Sequence, residues 1–542
     1  MTRLLPPLSP VGWLLFGAMV LLVLTYLYYW STVVRATAHG HVSRARLTDS
    51  DLRLSRACAQ DAGRTHRFLI QITTKGGALP VVERGIDQVL EGVARYPALR
   101  RVVRVEVVTE DAREVAALAH RYRDAAVPVR PFLLPPDYAT PKGTRLKARA
   151  LEYMVEQHRA DPDDCYVVHF DEESVLTPDN LARLVHRLTD HPVGISEGMI
   201  SYGLDWDRAT LLNKAMESSR PFGCHECYTV MTSPPPMHLH GSNLVIRQDL
   251  ENEIGWDIGT LDGAPLIAED LVFGLGAYLR FGPDVFGWHH AEMVEQPPFT
   301  LKAAYKQRER WVFGSLQALA HVRAQADWSR LSRRDRWHIG VVIRLRVLTY
   351  ALGFAVSLLA LGSNAVVLGV LATRALAGDA VGVAAPELSV YGVVTGAGLL
   401  MWLGSNQLGL FYNLRYSGLS RAQKARDHVL VLLATPFAGV VDTAGPLVAV
   451  LKWAAGIREV AWKPTPKAAP ASRGRAGSAP VVAAVPAEPG AAVPAVAAVP
   501  VAAAVPVAAT ARAALIPTQR TGSVEAPAVA GAAARSTGGV TP

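Results

Sequence analysis

From His66 onward the chain alternates short apolar, β-branched runs with stretches whose apolar residues return every three or four positions. Arg67–Thr73, Val102–Val108 and Val129–Leu134 have the composition of strands, and Val82–Arg95, Asp111–Arg123 and Leu146–His158 the spacing of helices. Tyr166–Phe170 is a further apolar run that reads as a buried strand delivering Asp171 to its end. Thr177-Pro178-Asp179 then opens a helix, with Thr177 as the cap and proline at the first position. Strand–helix alternation of this kind predicts an α/β domain with a parallel, Rossmann-like sheet over residues 60–325.

A second pattern is continuous rather than alternating. Val11–Trp30 is apolar throughout and ends in Tyr26, Tyr28, Tyr29 and Trp30. It has roughly the 20 residues a membrane crossing needs, with aromatics suited to the interface, so residues 1–35 read as a transmembrane helix. A cleaved signal peptide is the competing reading, because Ala36-Thr37-Ala38 resembles a cleavage site. The long apolar block and a single upstream basic residue, Arg3, count against it. Arg35, Arg44, Arg46, Arg53 and Arg56 follow the span and predict that the domain downstream of it is cytoplasmic.

Asp327–Trp337 mixes basic residues with tryptophans, so residues 326–340 read as an amphipathic segment lying on the bilayer. Residues 341–456 supply two to three C-terminal membrane helices. Val347–Leu371 and Leu388–Tyr412 are long enough to span. Val429–Leu451 contains Pro436, Asp442 and Pro446 and has basic residues on both flanks, which predicts a re-entrant or interfacial element. Residues 463–542 are rich in Ala, Pro and Val, with no aromatic after Trp462, and are expected to be disordered.

The formal charge of +8 does not point to nucleic acid. Seven Lys and Arg against two Glu place +5 of it from Lys463 onward, and the remainder has no concentrated basic face. Four cysteines, Cys58, Cys165, Cys224 and Cys227, are too few for a disulfide scaffold. Cys224-x-x-Cys227 with His238 and His240 could hold zinc, but the spacing is not that of a standard finger; a pair of reduced thiols is the plainer reading.

Three polar clusters carry the candidate chemistry. Asp171 and Glu173 share one side of an extended segment at a strand end, where open α/β sheets bind ligands; two hard oxygen ligands there suit Mg²⁺ or Mn²⁺ beside a diphosphate. Glu269-Asp270 opens a helical segment, Leu271–Leu279, whose dipole would keep a carboxylate ionised as a general base. Gln307, Arg310 and Trp311 fall on one helix face and offer a hydrogen bond, a phosphate contact and an apolar wall, with Arg308 and Glu309 pointing away.

This ordered set, Asp-x-Glu, Glu-Asp and Gln-x-x-Arg-Trp, resembles the inverting glycosyltransferase family 2 with its GT-A fold. The nearer likeness is to the egghead-type β-1,4-mannosyltransferases, through Val107–Glu110, Lys147–Leu151, His169–Glu173, His240–Asn243, Ala268–Asp270 and Pro298–Trp311. The resemblance implies Asp171 and Glu173 as the metal-binding acids and Asp270 as the base. Gln307, Arg310 and Trp311 would border the donor diphosphate. It further implies that Lys147 and either Glu110 or Asp111 contact the nucleotide, and that Gly241, Ser242, Asn243 and Glu269 lie near the acceptor. The second metal-motif acid is Glu173 where the wider family usually has Asp.

The expected function is therefore a membrane-bound inverting transfer of a hexose, mannose by the nearer likeness, from a GDP- or UDP-sugar to a lipid-linked or glycan acceptor. A processive polysaccharide synthase would need more helices for its channel. A catalytically dead membrane scaffold is at odds with intact acids at all three clusters.

Overall fold

The computed structural model describes residues 10–47, 67–159, 165–231, 239–377, 386–460 and 465–467. The core is a seven-stranded sheet made of β1 (Arg67–Thr73), β2 (Val103–Thr109), β3 (Val129–Leu133), β4 (Cys165–Asp171), β5 (Ile195–Glu197), β6 (Leu244–Arg247) and β7 (Phe286–Trp288). Their spatial order is β7-β5-β6-β4-β1-β2-β3. Five successive residues of β1 are buried, as expected for a strand covered on both faces. The helix after it, which follows α1 (Pro10–Leu47) and is α2 (Leu79–Arg95), turns Val82, Ile86, Val89 and Val93 onto the sheet.

The β1, β2, β3 and β4 pairings are parallel, and so is β5 with β7. β6 runs antiparallel to both β4 and β5, so the sheet is mixed rather than parallel throughout. Its four residues are too few to carry a pattern of their own. In the β1–β4 register Thr73 lies opposite Asp171, which lines up the carboxyl ends of the central strands as one rim.

Helices α3 (Ala112–Arg121), α4 (Leu146–His158) and α5 (Pro178–Asp190) connect the first half of the sheet. Thr177 holds the capping position of α5, but its side chain makes no cap hydrogen bond; Pro178 at the first turn sets that start instead. The second half carries α6 (Leu211–Ser218), α7 (Arg220–Met231), α8 (Gln248–Ile254), α9 (Glu269–Phe281) and α10 (Leu301–Ala324).

Beyond these come α11 (Ala326–Arg330), α12 (Arg333–Leu376), α13 (Pro386–Arg415) and α14 (Arg421–Ala454). Among the described residues, Met19–Ala38, Arg333–Leu359 and Arg421–Ala454 are long and apolar enough to cross a membrane. The segment expected to lie on the bilayer is split between α11 and the first turns of α12.

Residues 421–454 form one continuous helix with both prolines inside it. The acid that argued against a crossing is neutralised from the α/β domain: Asp442 accepts from Arg220 Nη2 at 2.6 Å and Arg308 Nε at 2.8 Å. Gly445 lets α14 sit directly on α10, since a Cβ there would be 2.6 Å from the Tyr305 carbonyl oxygen. Of the expected disordered tail, Thr465–Lys467 lies against the α/β domain, and residues 468–542 fall outside the described residues.

Candidate active site

The rim of the sheet brings the acidic clusters together through one lysine. Lys147, on the first turn of α4, donates to Asp171 Oδ1 at the end of β4 and to the Gly241 carbonyl at 2.7 Å. Gly241 faces the third partner: a Cβ at this position would lie 3.0 Å from Lys147 Nζ, 3.4 Å from Asp270 Oδ2 and 3.7 Å from Glu269 Oε1. Four segments far apart in sequence thus meet around one glycine, and any side chain there would fill the space between the acids and the lysine.

Arg310 is the member of the Gln-x-x-Arg-Trp group that reaches this centre. Burial lowers its pKa, while Glu269, Asp171 and Glu173 pull it the other way. Its Nη2 also donates to Thr465 at 3.4 Å. Gln307 and Trp311 sit differently. Gln307 Oε1 accepts from Arg308 at 2.6 Å, and Trp311 is 41% exposed beneath the guanidinium groups of Arg220 and Arg308. Among the described contacts neither touches the acids.

Of the pair expected to point away, Arg308 instead meets this group through Gln307 and the Trp311 ring, and neither residue lies in solvent. Arg308 is 2% exposed, bound to Glu217 and Asp442, and Glu309 is held by Lys306 and Lys452. These two residues tie α10 to α14, and Arg308 ties it to α6 as well.

Glu110 and Asp111 take separate roles at the end of β2. Glu110 pairs with Arg149 at 2.9 Å, and Asp111 caps α3 by accepting from the Arg113 amide at 2.9 Å. The Asp111 Cβ also lies 2.8 Å from where a Cβ on Gly76 would be. Gly76 in turn borders a cavity of about 220 Å³ with Gly77, Glu172 and Lys467. Asn243, at φ +56°, donates to the Met199 and Ala291 carbonyls and fixes the turn that carries Gly241 and Ser242.

Two charged groups at the site were not anticipated. Glu295 follows a short strand, Met293–Val294, that pairs with Val175–Leu176 and Ile200–Ser201 beside the rim. It accepts from Ser242 and from Ser174 Oγ at 3.2 Å, and burial, then Glu173 and Asp171, push it up to about 8. No periodicity marks it in the sequence. Lys467 donates to Glu173 across 294 residues, and its only sequence signal is a charge inside a proline-rich stretch.

The electrostatics follow from burial. Burial would raise Asp171, but the Lys147 ammonium outweighs it and holds the carboxyl below its usual range. Asp270 goes the other way. The Leu271 amide donates to Oδ1 at 2.7 Å, as the helix start suggested, yet burial and then Glu269 push the group up to about 8. Desolvation beats the helix terminus here. Asp171 and Glu173 offer hard oxygen atoms, a donor set that fits a hard divalent ion, which would have to displace the ammonium groups of Lys147 and Lys467 that hold them here.

Residues 166–403 match the glycosyl transferase family group 2. Over 219 residues the chain is 30% identical to the beta-1,4-mannosyltransferase egh of Drosophila melanogaster, covering 39% of this chain and 44% of that protein. The beta-1,4-mannosyltransferase bre-3 of Caenorhabditis elegans is 30% identical over 194 residues, 35% of this chain and 41% of that one. The chain thus spans less than half the length of the curated relatives it matches. The structure of Staphylococcus aureus TarS 1-349 overlays with a TM-score of 0.34 at 11% identity, covering 72% of this chain and 92% of TarS. The mixed α/β sheet with apolar helices on either side of it in the chain agrees with the α/β domain between membrane helices expected from the sequence.

The titration of Asp270 gives a pH test. Were Asp270 the base of a transfer reaction, it would have to be unprotonated, and kcat/KM would climb about tenfold per pH unit below its pKa and level off above about 8. An Asp270-dependent profile already flat from pH 6 upward, read from initial rates at low substrate, would remove this carboxylate from proton transfer.

Proposed function

We propose that this protein is a membrane-bound inverting glycosyltransferase that moves a hexose from a nucleotide sugar to a hydroxyl acceptor. The observation that carries the reading is the meeting of Asp171, Lys147, Gly241, Asp270 and Arg310 at one rim. The reaction is a single in-line displacement. The acceptor oxygen bonds to the anomeric carbon while the bond from that carbon to the diphosphate oxygen breaks. Oδ1 of Asp270 is tied to the Leu271 amide, which leaves Oδ2, beside Gly241, to take the acceptor proton. Arg310 and Lys147 supply positive charge for the departing diphosphate. Gly241, Ser242 and Asn243, with Glu269, border the acceptor side. The cavity beside Gly76 and Glu172, close to Glu110 and Asp111, suits the nucleotide.

Asp171 and Glu173 would hold Mg²⁺ or Mn²⁺, which when bound neutralises diphosphate charge. Mannose is the sugar favoured by the names of the relatives, and inversion of an α-linked donor gives a β-linkage. Membrane helices beside the site favour a lipid-linked acceptor, and the arginines after α1 favour a cytoplasmic catalytic domain.

Isolated membranes containing the full chain, given a panel of GDP- and UDP-hexoses and analysed by mass spectrometry, test this directly. One hexose should be added from one donor, the reaction should stop with EDTA, and excess Mg²⁺ or Mn²⁺ should restore it. Transfer undiminished by EDTA would remove the metal from the reading. No transfer from any donor, with the protein present and inserted, would remove the activity.

A further inference from the structure

Behind the Gly241 turn lies a second cluster that the transfer reaction does not use. Cys224 and Cys227 sit one turn apart on α7, and both thiols are reduced and buried. His240, next to Gly241, points its Nε2 at Cys227 Sγ from 3.8 Å. One ligand atom from each of the three residues lies within 4.8 Å of the others. Tetrahedral zinc, with Zn–S near 2.3 Å and Zn–N near 2.0 Å, places sulfur and nitrogen about 3.6 Å apart and two sulfurs about 3.8 Å apart. The cluster is within a small side-chain adjustment of that geometry.

A second observation points the same way. Glu197, at the end of β5, is fully buried, and its Oε2 has no hydrogen-bond partner while lying 3.7 Å from His240 Nδ1. Its other oxygen accepts from the His240 amide. A carboxylate behind the ring nitrogen opposite the metal is the usual support of a metal-bound imidazole, because it fixes the tautomer that leaves Nε2 to bind.

We infer that Cys224, Cys227 and His240 bind one zinc ion, with Glu197 orienting His240 and water in the fourth position. His238, the other histidine of the sequence motif, lies outside the described residues. Two thiolates balance the dication, and their protons leave as it binds. Soft sulfur ligands select zinc over the hard ions that suit Asp171 and Glu173, so the two sites are chemically distinct. The zinc ties α7, packed through Phe222 on Tyr29 and Trp30 of α1, to the turn whose Gly241 carbonyl receives Lys147. It is a positioning element for the transfer site.

The full chain, purified in detergent from zinc-supplemented cells, should carry about one zinc per chain by mass spectrometry. A Cys224→Ser, Cys227→Ser double variant should carry less than about a tenth of that, and Asp171→Asn should keep it. In case the double variant fails to fold, the unaltered protein is stripped and reloaded with Co²⁺, which should give thiolate-to-cobalt charge-transfer absorption. Protein lacking zinc, zinc retained by the double variant, no charge-transfer band, or a Cys224–Cys227 disulfide in the unreduced peptide map would each overturn the assignment. None of these readouts depends on sugar transfer.

Discussion

Replacing Asp270 by Asn is expected to cut sugar transfer by about a hundredfold to ten-thousandfold, the usual contribution of a positioned base. The variant should remain folded and inserted. Asparagine keeps the Oδ1 that accepts from Leu271 at 2.7 Å and loses only the ability to ionise. In the folded protein the Asp270 carboxyl is pushed up from 3.8 to about 8, so its ionisation opposes folding increasingly as pH rises through that window. The neutral variant escapes that cost. Its heat stability should equal that of the parent at acid pH and exceed it at pH 8 and above, where the parent carries two adjacent buried negative charges. Activity lost with stability gained is the signature of a group kept for chemistry. Transfer within twofold of the parent, or a variant less stable at alkaline pH, would take the role from Asp270.

The sequence made the rim of the sheet legible because strand ends are local. An apolar run such as Tyr166–Phe170 followed by acids says where Asp171 must emerge, whatever lies beside it. The same holds for α4, whose limits coincide with the Leu146–His158 spacing. Long-range partners were not legible. Asp442 read as an obstacle to a membrane helix because its own neighbours offer it nothing. The arginines that neutralise it stand 222 and 134 residues earlier in the chain. Arg308 and Glu309 were discounted for the same reason: helical spacing says which face a residue occupies, but not whether another helix covers that face. The direction of the Asp270 shift was also hidden, since a helix start is visible in sequence and desolvation is not. Lys467 lies in a stretch whose composition promised no packing at all.

Arg308→Met is expected to be the most damaging single change outside the reacting groups. Arg308 joins three helices: its Nε donates to Asp442 of α14 at 2.8 Å, Nη2 to Glu217 of α6, and Nη1 to Gln307 on its own helix at 2.6 Å. Glu217 is fully buried and Asp442 partly so, with 19% of its side chain exposed, leaving Arg220 as the remaining guanidinium near both. Methionine fills much of the space but strands two carboxylates against one cation. Breaking a buried pair in this way costs about 3–5 kcal/mol. The loss should appear as a clear fall in the apparent melting temperature of the detergent-purified protein. Arg308→Lys, which keeps the charge but not the fork, should fall between. Pairing Arg308→Met with Asp442→Asn should recover part of the loss, because each change then removes a charge the other left unmatched. Losses that simply add would mean that Arg308 and Asp442 act independently, and that α14 is held to the α/β domain by its other ties, among them Lys452 to Glu309 and the packing around Gly445.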